Sequence, residues 1–505
     1  MSRVHVEVRP GAYQDSVTLM QVSRTLASLP GVLAAQVAMG TELNLDVLSG
    51  MGLGAPAGTG PNDLVVALSV EDDSAVAQAL AALEAALAAP ASTGSMGEQP
   101  PLTTGSALRR SPAGLVLVSV PGESAFAEAM DAVLAGSSVV VFSDNVSIEQ
   151  EVALKSAAAE RDVLVMGPDC GTAVVAGIGL GFANVVDPGP VSLVAASGTG
   201  AQQLMALLDA AGVGVRHCLG LGGRDLSAAV GGRSATQALR ALAADAATST
   251  VVFVGKPPDS LVAQRLHAEA DDLGLTVVWA LLGAGRPDLT SAAEQVLRTV
   301  DAPVPAWPTW PAAAAGDPAA AGRRGSALRG LFVGGTLCDE AMVIASERLG
   351  AVRSNIPLQP QWLLEVDGAG AWRCDGAHAM VDFGDDALTV GRPHPMIDPS
   401  LRERRLLVEA ADPDVGVLLL DVVLGHGAHA DPAATLAEAV RAARRTAADD
   451  GRDLAVVVAL VGTRGDPQGL QRQAESLAAA GADVHLSNAA ATRRALDLLH
   501  GNGPS

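Results

Sequence analysis

One pattern governs most of this chain: a run of Val, Leu and Ala, a glycine-rich turn, then an amphipathic helical stretch, repeated from about residue 115 onward. Runs with little polar alternation mark parallel strands buried on both faces. Strands alternating with helices pack as doubly wound α/β layers. The runs fall at 115–120, 138–142, 163–166, 191–196, 214–219, 251–255, 276–281, 329–333, 378–382, 415–421, 454–460 and 483–486. Open α/β sheets bind ligands beyond the carboxyl ends of their strands, so the turns are where function is sought.

The 505 residues are enough for about three or four domains. Aromatics make up 2% against 49% hydrophobic, so the cores are built from small aliphatic side chains and intrinsic disorder is excluded. So few aromatics also argue against a stacking platform for single-stranded nucleic acid. A net charge of −22 attracts neither nucleic acid nor anionic lipid. Small anionic substrates would need a local, preorganised site. The four cysteines (Cys170, Cys218, Cys338 and Cys374) form no CxxC or CxxH pair, which disfavours structural zinc or a disulfide framework. The N-terminus lacks an apolar signal core, and no run reaches the ~18 apolar residues of a membrane span. The expectation is a soluble cytoplasmic protein.

Residues 1–89 differ from the rest. Val4, Val6 and Val8 alternate with His5, Glu7 and Arg9, the period of a half-buried strand. The segment reads as strand 3–9, helix 14–28, strand 32–39, helix 42–48, strand 64–70 and helix 73–88, a small ferredoxin-like or ACT-like α+β module. It carries no catalytic constellation, so assembly or regulation is its expected role. Pro90–Gly114 and Asp301–Gly325, rich in Pro, Gly, Ser and Ala, read as linkers.

The clearest site is Ser197-Gly198-Thr199-Gly200, between a buried strand and a helix. Free N–H groups and the positive helix end make such a junction an anion site, although Ser and Gly also serve there as ordinary caps. Gly425-His426-Gly427-Ala428-His429 repeats the plan, with Asp431 as N-cap and Pro432 at the first helical position. Val333-Gly334-Gly335-Thr336 is a third such junction. Lys256, one of two lysines, follows a buried strand and is expected to point into the ligand crevice. Arg392 and His394, in a Pro-punctuated loop, suit a carboxylate. Arg224 lies in the turn Gly220–Gly232. Asp382, Asp385 and Asp386 could bind Mg²⁺, but read better as solvated acids of a surface loop. No metal site is expected.

Taken together, GPDCGTA, VAASGTG, GLGGRDLSAAVGG, GKPP, FVGGTL, DFGDDALTVGRPHPMIDP and GHGAHADPA resemble the FdrA family, a group similar to the succinyl-CoA synthetases. The resemblance covers the chain from about residue 110. It implies a multi-domain α/β fold. Residues 114–187 would be a partial CoA-binding Rossmann-like domain, 188–300 a flavodoxin-like domain of the synthetase α type, and 327–500 one of the β carboxyl-terminal type. It implies that the helices opening at Ser197–Gly200 and Asp431 face one phosphate, as the paired helices of those synthetases do. The phosphohistidine segment and the ATP-grasp domain of those enzymes have no counterpart here.

The FdrA resemblance further implies a component of an oxamate carbamoyltransferase complex, interconverting oxalurate and phosphate with oxamate and carbamoyl phosphate. On that reading Ser197, Gly198, Thr199, Gly200, Gly425, Gly427, Ala428 and Asp431 bind the phosphate. Lys256 and His429 are catalytic, and Arg392, His394 and Arg224 bind substrate. Phosphate or carbamoyl phosphate is the expected ligand, with CoA not excluded. Other subunits are the expected partners, in an oligomer that engages neither nucleic acid nor membrane. The alternatives are an acyl-CoA synthetase subunit served by a separate ATP-grasp partner, and a non-catalytic scaffold.

Overall fold

A computed structural model describes residues 3–14, 16–87, 101–313, 323–389 and 392–500. The first part of the Pro90–Gly114 stretch and the middle of Asp301–Gly325 lie outside the described residues.

The first unit comprises β1 (Arg3–Arg9), α1 (Ser16–Ala27), β2 (Val32–Met39), α2 (Glu42–Gly50), β3 (Leu64–Val70) and α3 (Asp73–Leu87). The sheet order is β1-β3-β2, with β3 antiparallel to both neighbours. Among the described residues this is a split βαβ, three strands of a ferredoxin-like sheet. Alternation sorts the faces. Leu64, Val66, Leu68 and Val70 meet α1 and α3, while Val65 and Ala67 meet Leu48 and Leu53.

The second unit holds α4 (Thr104–Arg110), β4 (Leu115–Val118), α5 (Gly122–Leu134), β5 (Ser138–Val141), α6 (Ile148–Ala159) and β6 (Val165–Met166), its three strands parallel in the order β4-β5-β6. Helix α4 falls in a stretch read from sequence as linker. Thr103 and Ser106 cap it reciprocally, and Thr/Ser/Gly clusters serve helix starts as well as loops.

Then come β7 (Thr172–Val175), β8 (Ile178–Gly181), β9 (Val191–Ala195), α7 (Gly198–Ala210), β10 (Val215–Gly220), α8 (Arg233–Ala244), β11 (Thr250–Gly255), α9 (Ser260–Asp272), β12 (Val277–Leu281) and α10 (Leu289–Thr299), in one sheet ordered β12-β11-β9-β10-β7-β8. Its four long strands are parallel. The β7–β8 hairpin, expected within 114–187, instead joins this sheet antiparallel to β10.

The last unit has β13 (Thr309–Trp310), β14 (Arg323–Arg324), β15 (Ala327–Phe332), α11 (Gly335–Leu349), β16 (Ala379–Asp382), α12 (Asp386–Thr389), α13 (Ser400–Ala411), β17 (Val415–Val423), α14 (Pro432–Asp449), β18 (Arg452–Asp453), β19 (Ala455–Val461), α15 (Leu470–Ala479), β20 (Ala482–His485) and α16 (Asn488–Leu499). The main sheet runs β13-β20-β19-β17-β15-β16, parallel except for the β13 edge. Counting its parallel strands in chain order gives 2-1-3-4-5, the flavodoxin arrangement, and the preceding sheet gives 2-1-3-4. Each has a switch point, where consecutive connections leave on opposite faces and open a crevice. These lie between β9 and β11 and between β15 and β17.

The two flavodoxin-like units share a core. Leu204, Leu207 and Leu208 of α7 pack in the same cluster as Leu337 and Met342 of α11 and Leu496 of α16. Helix α7 is therefore apolar nearly all round, as a helix enclosed on every side must be. Its buried amides are satisfied across the interface: Gln203 Nε2 donates to the Leu486 carbonyl (3.1 Å), and its Oε1 accepts from Asn488 N–H (2.9 Å). The seam buries whole leucines, each worth ~1.5–3 kcal/mol, and holds the two switch points in fixed relation. Among the described residues no helix is long and apolar enough to cross a membrane.

Candidate functional site

The chain leaves β9 through Ser197, which caps α7: its extended backbone lets Oγ accept from Gly200 N–H at 3.0 Å. The N–H groups of Gly198 and Thr199 carry no hydrogen bond among the described residues, and Gly198 is exposed. From the other sheet, β15 ends in Gly334-Gly335-Thr336, opening α11. The two turns interlock. Ser197 Oγ and Thr336 Oγ1 share a hydrogen bond of 2.6 Å. A Cβ on Gly334 would stand 2.9 Å from Thr199 Oγ1, and one on Gly200 would stand 3.1 Å from Thr336 Cγ2. Two helix N-termini, each from a switch point, thus meet.

The turn that packs directly on Ser197–Gly200 is that of α11. In Gly425–Asp431, the turn expected to face it, several groups are engaged within the fold. His426 N–H donates to the Ala183 carbonyl (2.8 Å), Gly425 N–H to Gln468 Oε1 (3.1 Å), and Gln468 Nε2 to the Gly425 and His429 carbonyls (2.8 and 3.1 Å). Gly425 (φ 121°) and Gly427 (φ 77°) have backbone that L side chains rarely adopt, and a Cβ on Gly427 would press on Phe182 at 3.0 Å. Ala428 is half-buried in the same turn. At the helix start, Ala433 N–H is taken by Gln473 Oε1 (2.8 Å), and the Asp431 carboxylate is held by Arg472 (2.7 Å) and Gln473 (2.8 Å). The glycines here serve close packing between units.

Lys256 leaves the β11 switch point and reaches across to α11, pairing with Asp339 Oδ2 at 2.6 Å while its side chain stays 66% exposed. Burial raises the Asp339 carboxyl, and Lys256 pulls it back. This cation is already partnered, by a carboxylate of α11.

Carboxylates support the α11 turn. Asp421, a lone acid in the apolar strand β17, accepts from Val333 N–H (2.7 Å) and Gly334 N–H (2.9 Å) and pairs with buried Arg402 (3.1 Å). Burial lifts it to about 6 despite Arg402. Asp382 ends β16, accepts from Gly384 N–H (2.9 Å), and has its backbone pinned on both sides by Asn355. Its Oδ2 stands 2.7 Å from where a Cβ on Gly335 would lie, against the first turn of α11. Burial pushes it to about 7, with help from Asp421, Asp385 and Asp339. Asp382 was read from sequence as a solvated acid; it is 6% exposed. A protonatable carboxyl at a helix N-terminus is a means of proton transfer.

The remaining candidates lie around this junction. His394 stacks near Phe182 (centroids 5.7 Å), and its Nδ1 accepts from Met396 N–H (3.2 Å), which puts the proton on Nε2. That Nε2 lies 2.9 Å from a Cβ placed on Gly384, on the same residue as the Asp382 contact. Burial lowers His394 to about 4, so the ring is neutral. His429 is also neutral, lowered to about 4 by burial and by Arg24. Its Nδ1 accepts from Asp431 N–H (2.8 Å), and its Nε2 is buried without a partner. Arg392 is exposed beside residues outside the description. Arg224 is engaged with Glu151 (3.0 Å) and the Val146 carbonyl (2.8 Å), while Asp225 pairs with the buried Lys155 (2.8 Å). Those two neighbours brace the second unit against the third rather than forming one ion pair together. Thr336, Asp382 and Asp421 were missed as site residues. The signal for Asp421 was a carboxylate alone in a nine-residue apolar strand.

A CoA-ligase family model matches residues 331–498, and the model described as AllF, heavy metal-associated domain, matches residues 1–101. The first cysteine is Cys170, so the N-terminal module has no thiolate to offer a heavy metal. Among curated proteins, the uncharacterized protein YahF of Escherichia coli (strain K12) is 37% identical over 497 residues, 95% of each chain. Among solved structures, the dinucleotide forming acetyl-coenzyme A synthetase 1 of Ca. Korarchaeum cryptofilum, in complex with phosphate and ADP, is 15% identical, covering 82% of this chain and 87% of that one, at a TM-score of 0.31. ATP citrate lyase from Methanothrix soehngenii is 17% identical, covering 40% and 43%, at a TM-score of 0.28.

Proposed function

The chain belongs to the family of Escherichia coli YahF and carries a CoA-ligase domain of the succinyl-CoA synthetase-like superfamily, and from that premise we propose that it is an FdrA-type component of an oxamate carbamoyltransferase complex. In this reading it binds phosphate or carbamoyl phosphate at the N-terminus of α7. The observation that carries the proposal is the pair of unbonded N–H groups at Gly198, which is exposed, and Thr199, which is half-buried, where two switch points meet. Preorganised backbone donors at such a place stabilise developing phosphate charge by several kcal/mol.

In the direction of carbamoyl phosphate formation, a phosphate oxygen adds to the carbamoyl carbon of oxalurate. The carbon–nitrogen bond then breaks, and the oxamate nitrogen takes a proton. Gly198 and Thr199 hold the phosphate, with Lys256 at its edge. Arg392 and His394 face the oxamate carboxylate. Asp382, protonated near neutrality, replaces the enclosed His429 as proton donor. The reaction needs neither ATP nor a phosphohistidine.

The CoA-ligase match favours one rival, an acyl-CoA synthetase subunit completed by an ATP-grasp partner. A thermal-shift panel with phosphate, carbamoyl phosphate, oxamate, CoA and ATP separates the two, because a ligand that binds only the native state raises Tm. Stabilisation by phosphate and carbamoyl phosphate supports the proposal. Stabilisation by CoA and ATP alone favours the synthetase, and silence throughout favours a scaffold.

A further inference from the structure

The N-terminal module has two outer strands that differ. β2 is buried along its last three residues, Val37 to Met39, whereas every residue of β1 keeps some exposure and Val4 is 55% exposed. Among the described residues β1 pairs only with β3, and no backbone hydrogen bond reaches its other edge within Arg3–Val8. This is where the fourth strand of a ferredoxin-like sheet would lie. An unpaired edge of seven residues with no proline is a template for another strand.

We propose that β1 is a docking edge for a second copy of this chain, the two β1 strands pairing antiparallel about a two-fold axis to make one six-stranded sheet. The sequence RVHVEVR complements itself in that arrangement. Centred on Val6, the pairing sets Val4 opposite Val8 on the face that holds Leu48 and Leu53, and His5 opposite Glu7 on the other. A two-fold axis makes each pair twice. The one like-charge pairing is Arg3 with Arg9. Both are neutralised at home, Arg3 by Asp73 and Arg9 by Glu7 and Glu84. The module's helix α1 faces the other way: Met20 packs on the shared core and Arg24 binds the Ile397 carbonyl. The module is thereby anchored through α1, and β1 takes no part in those contacts.

The test is the molar mass of the full chain by light scattering, with hydrogen exchange of the β1 amides. The wild type is expected to be dimeric. Val4→Lys, which puts a charge on the edge, is expected to leave monomers. His5→Glu sets two carboxylates opposite one another, the new one and that of Glu7 in the other copy, and is expected to weaken the dimer about tenfold. The exchanged pair His5→Glu/Glu7→His restores it. A monomeric wild type overturns the proposal. So does a dimer indifferent to both Val4→Lys and His5→Glu, which would place the contact elsewhere. Protection, persisting in monomers, of those β1 amides that face away from β3 would show the chain covering its own edge, and also overturns it.

Discussion

Asp382→Asn isolates the least expected group of the site. The carboxyl sits at about 7 in the folded chain, against an ordinary value of 3.8, because it is buried near Asp421, Asp385 and Asp339. A raised carboxyl means that the folded state keeps a proton the unfolded state has lost. Its contribution to stability is therefore fully present below about pH 4 and falls as pH rises, levelling off above about 7. Each pH unit well inside that window costs about 1.4 kcal/mol, so the step from pH 5 to 7 removes about 2.3 kcal/mol, the last part costing less as the folded group itself begins to ionise. Asparagine keeps the oxygen that accepts from Gly384 and cannot ionise. Urea unfolding followed by tryptophan fluorescence at pH 5, 6, 7 and 8 gives the difference between variant and wild type. That difference is expected to move in the variant's favour by about 2–3 kcal/mol between pH 5 and 8, most of it before pH 7. A difference that is constant with pH would refute the reasoning, since Asp382 would then ionise alike in both states.

Other outcomes follow from the same geometry. Asp421→Ala strands buried Arg402 and two turn N–H groups, and should cost about 3–5 kcal/mol in chemical denaturation. Gly334→Val drives a branched side chain into Thr199, 2.9 Å from its first carbon, and should lower stability by about 1–3 kcal/mol while abolishing phosphate-induced stabilisation. Lys256→Ala takes the cation away from Asp339, whose carboxylate is buried, so stability should fall by about 1–3 kcal/mol, while calorimetric affinity for phosphate falls several-fold.

The strand–turn–helix rhythm was legible because parallel strands buried on both faces leave almost unbroken apolar runs: β9, β11, β17 and β19 stand within one or two residues of their runs. The module at residues 3–87 was equally clear, since its alternation matches a half-buried sheet. The β7–β8 hairpin was not, because Thr172–Gly181 is short and rich in glycine. Ser197, Gly198 and Lys256 stood out as turn residues after buried strands. Which turn faces which was illegible. Gly334–Thr336 and Gly425–Ala428 carry the same local signature, and only the stacking of α7 on α11 across the shared core decides between them. The burial of Asp382 was hidden for a related reason. A run of acids looks solvated until Asn355 and the α11 turn close over its first member.

The account rests on the free amides of α7, and one substitution removes a single one. Gly198 is the first helical residue, where proline is well tolerated, and Ser197 before it is already extended, as a residue preceding proline must be. Gly198→Pro therefore deletes one donor and leaves the helix. Isothermal titration of carbamoyl phosphate into wild type and Gly198→Pro is the direct measurement. The account predicts saturable binding that weakens at least tenfold in Gly198→Pro and is retained in Gly198→Ala, which keeps the N–H and sets the same Cβ 3.1 Å from Thr172 Oγ1. Equal binding by wild type and Gly198→Pro would contradict it.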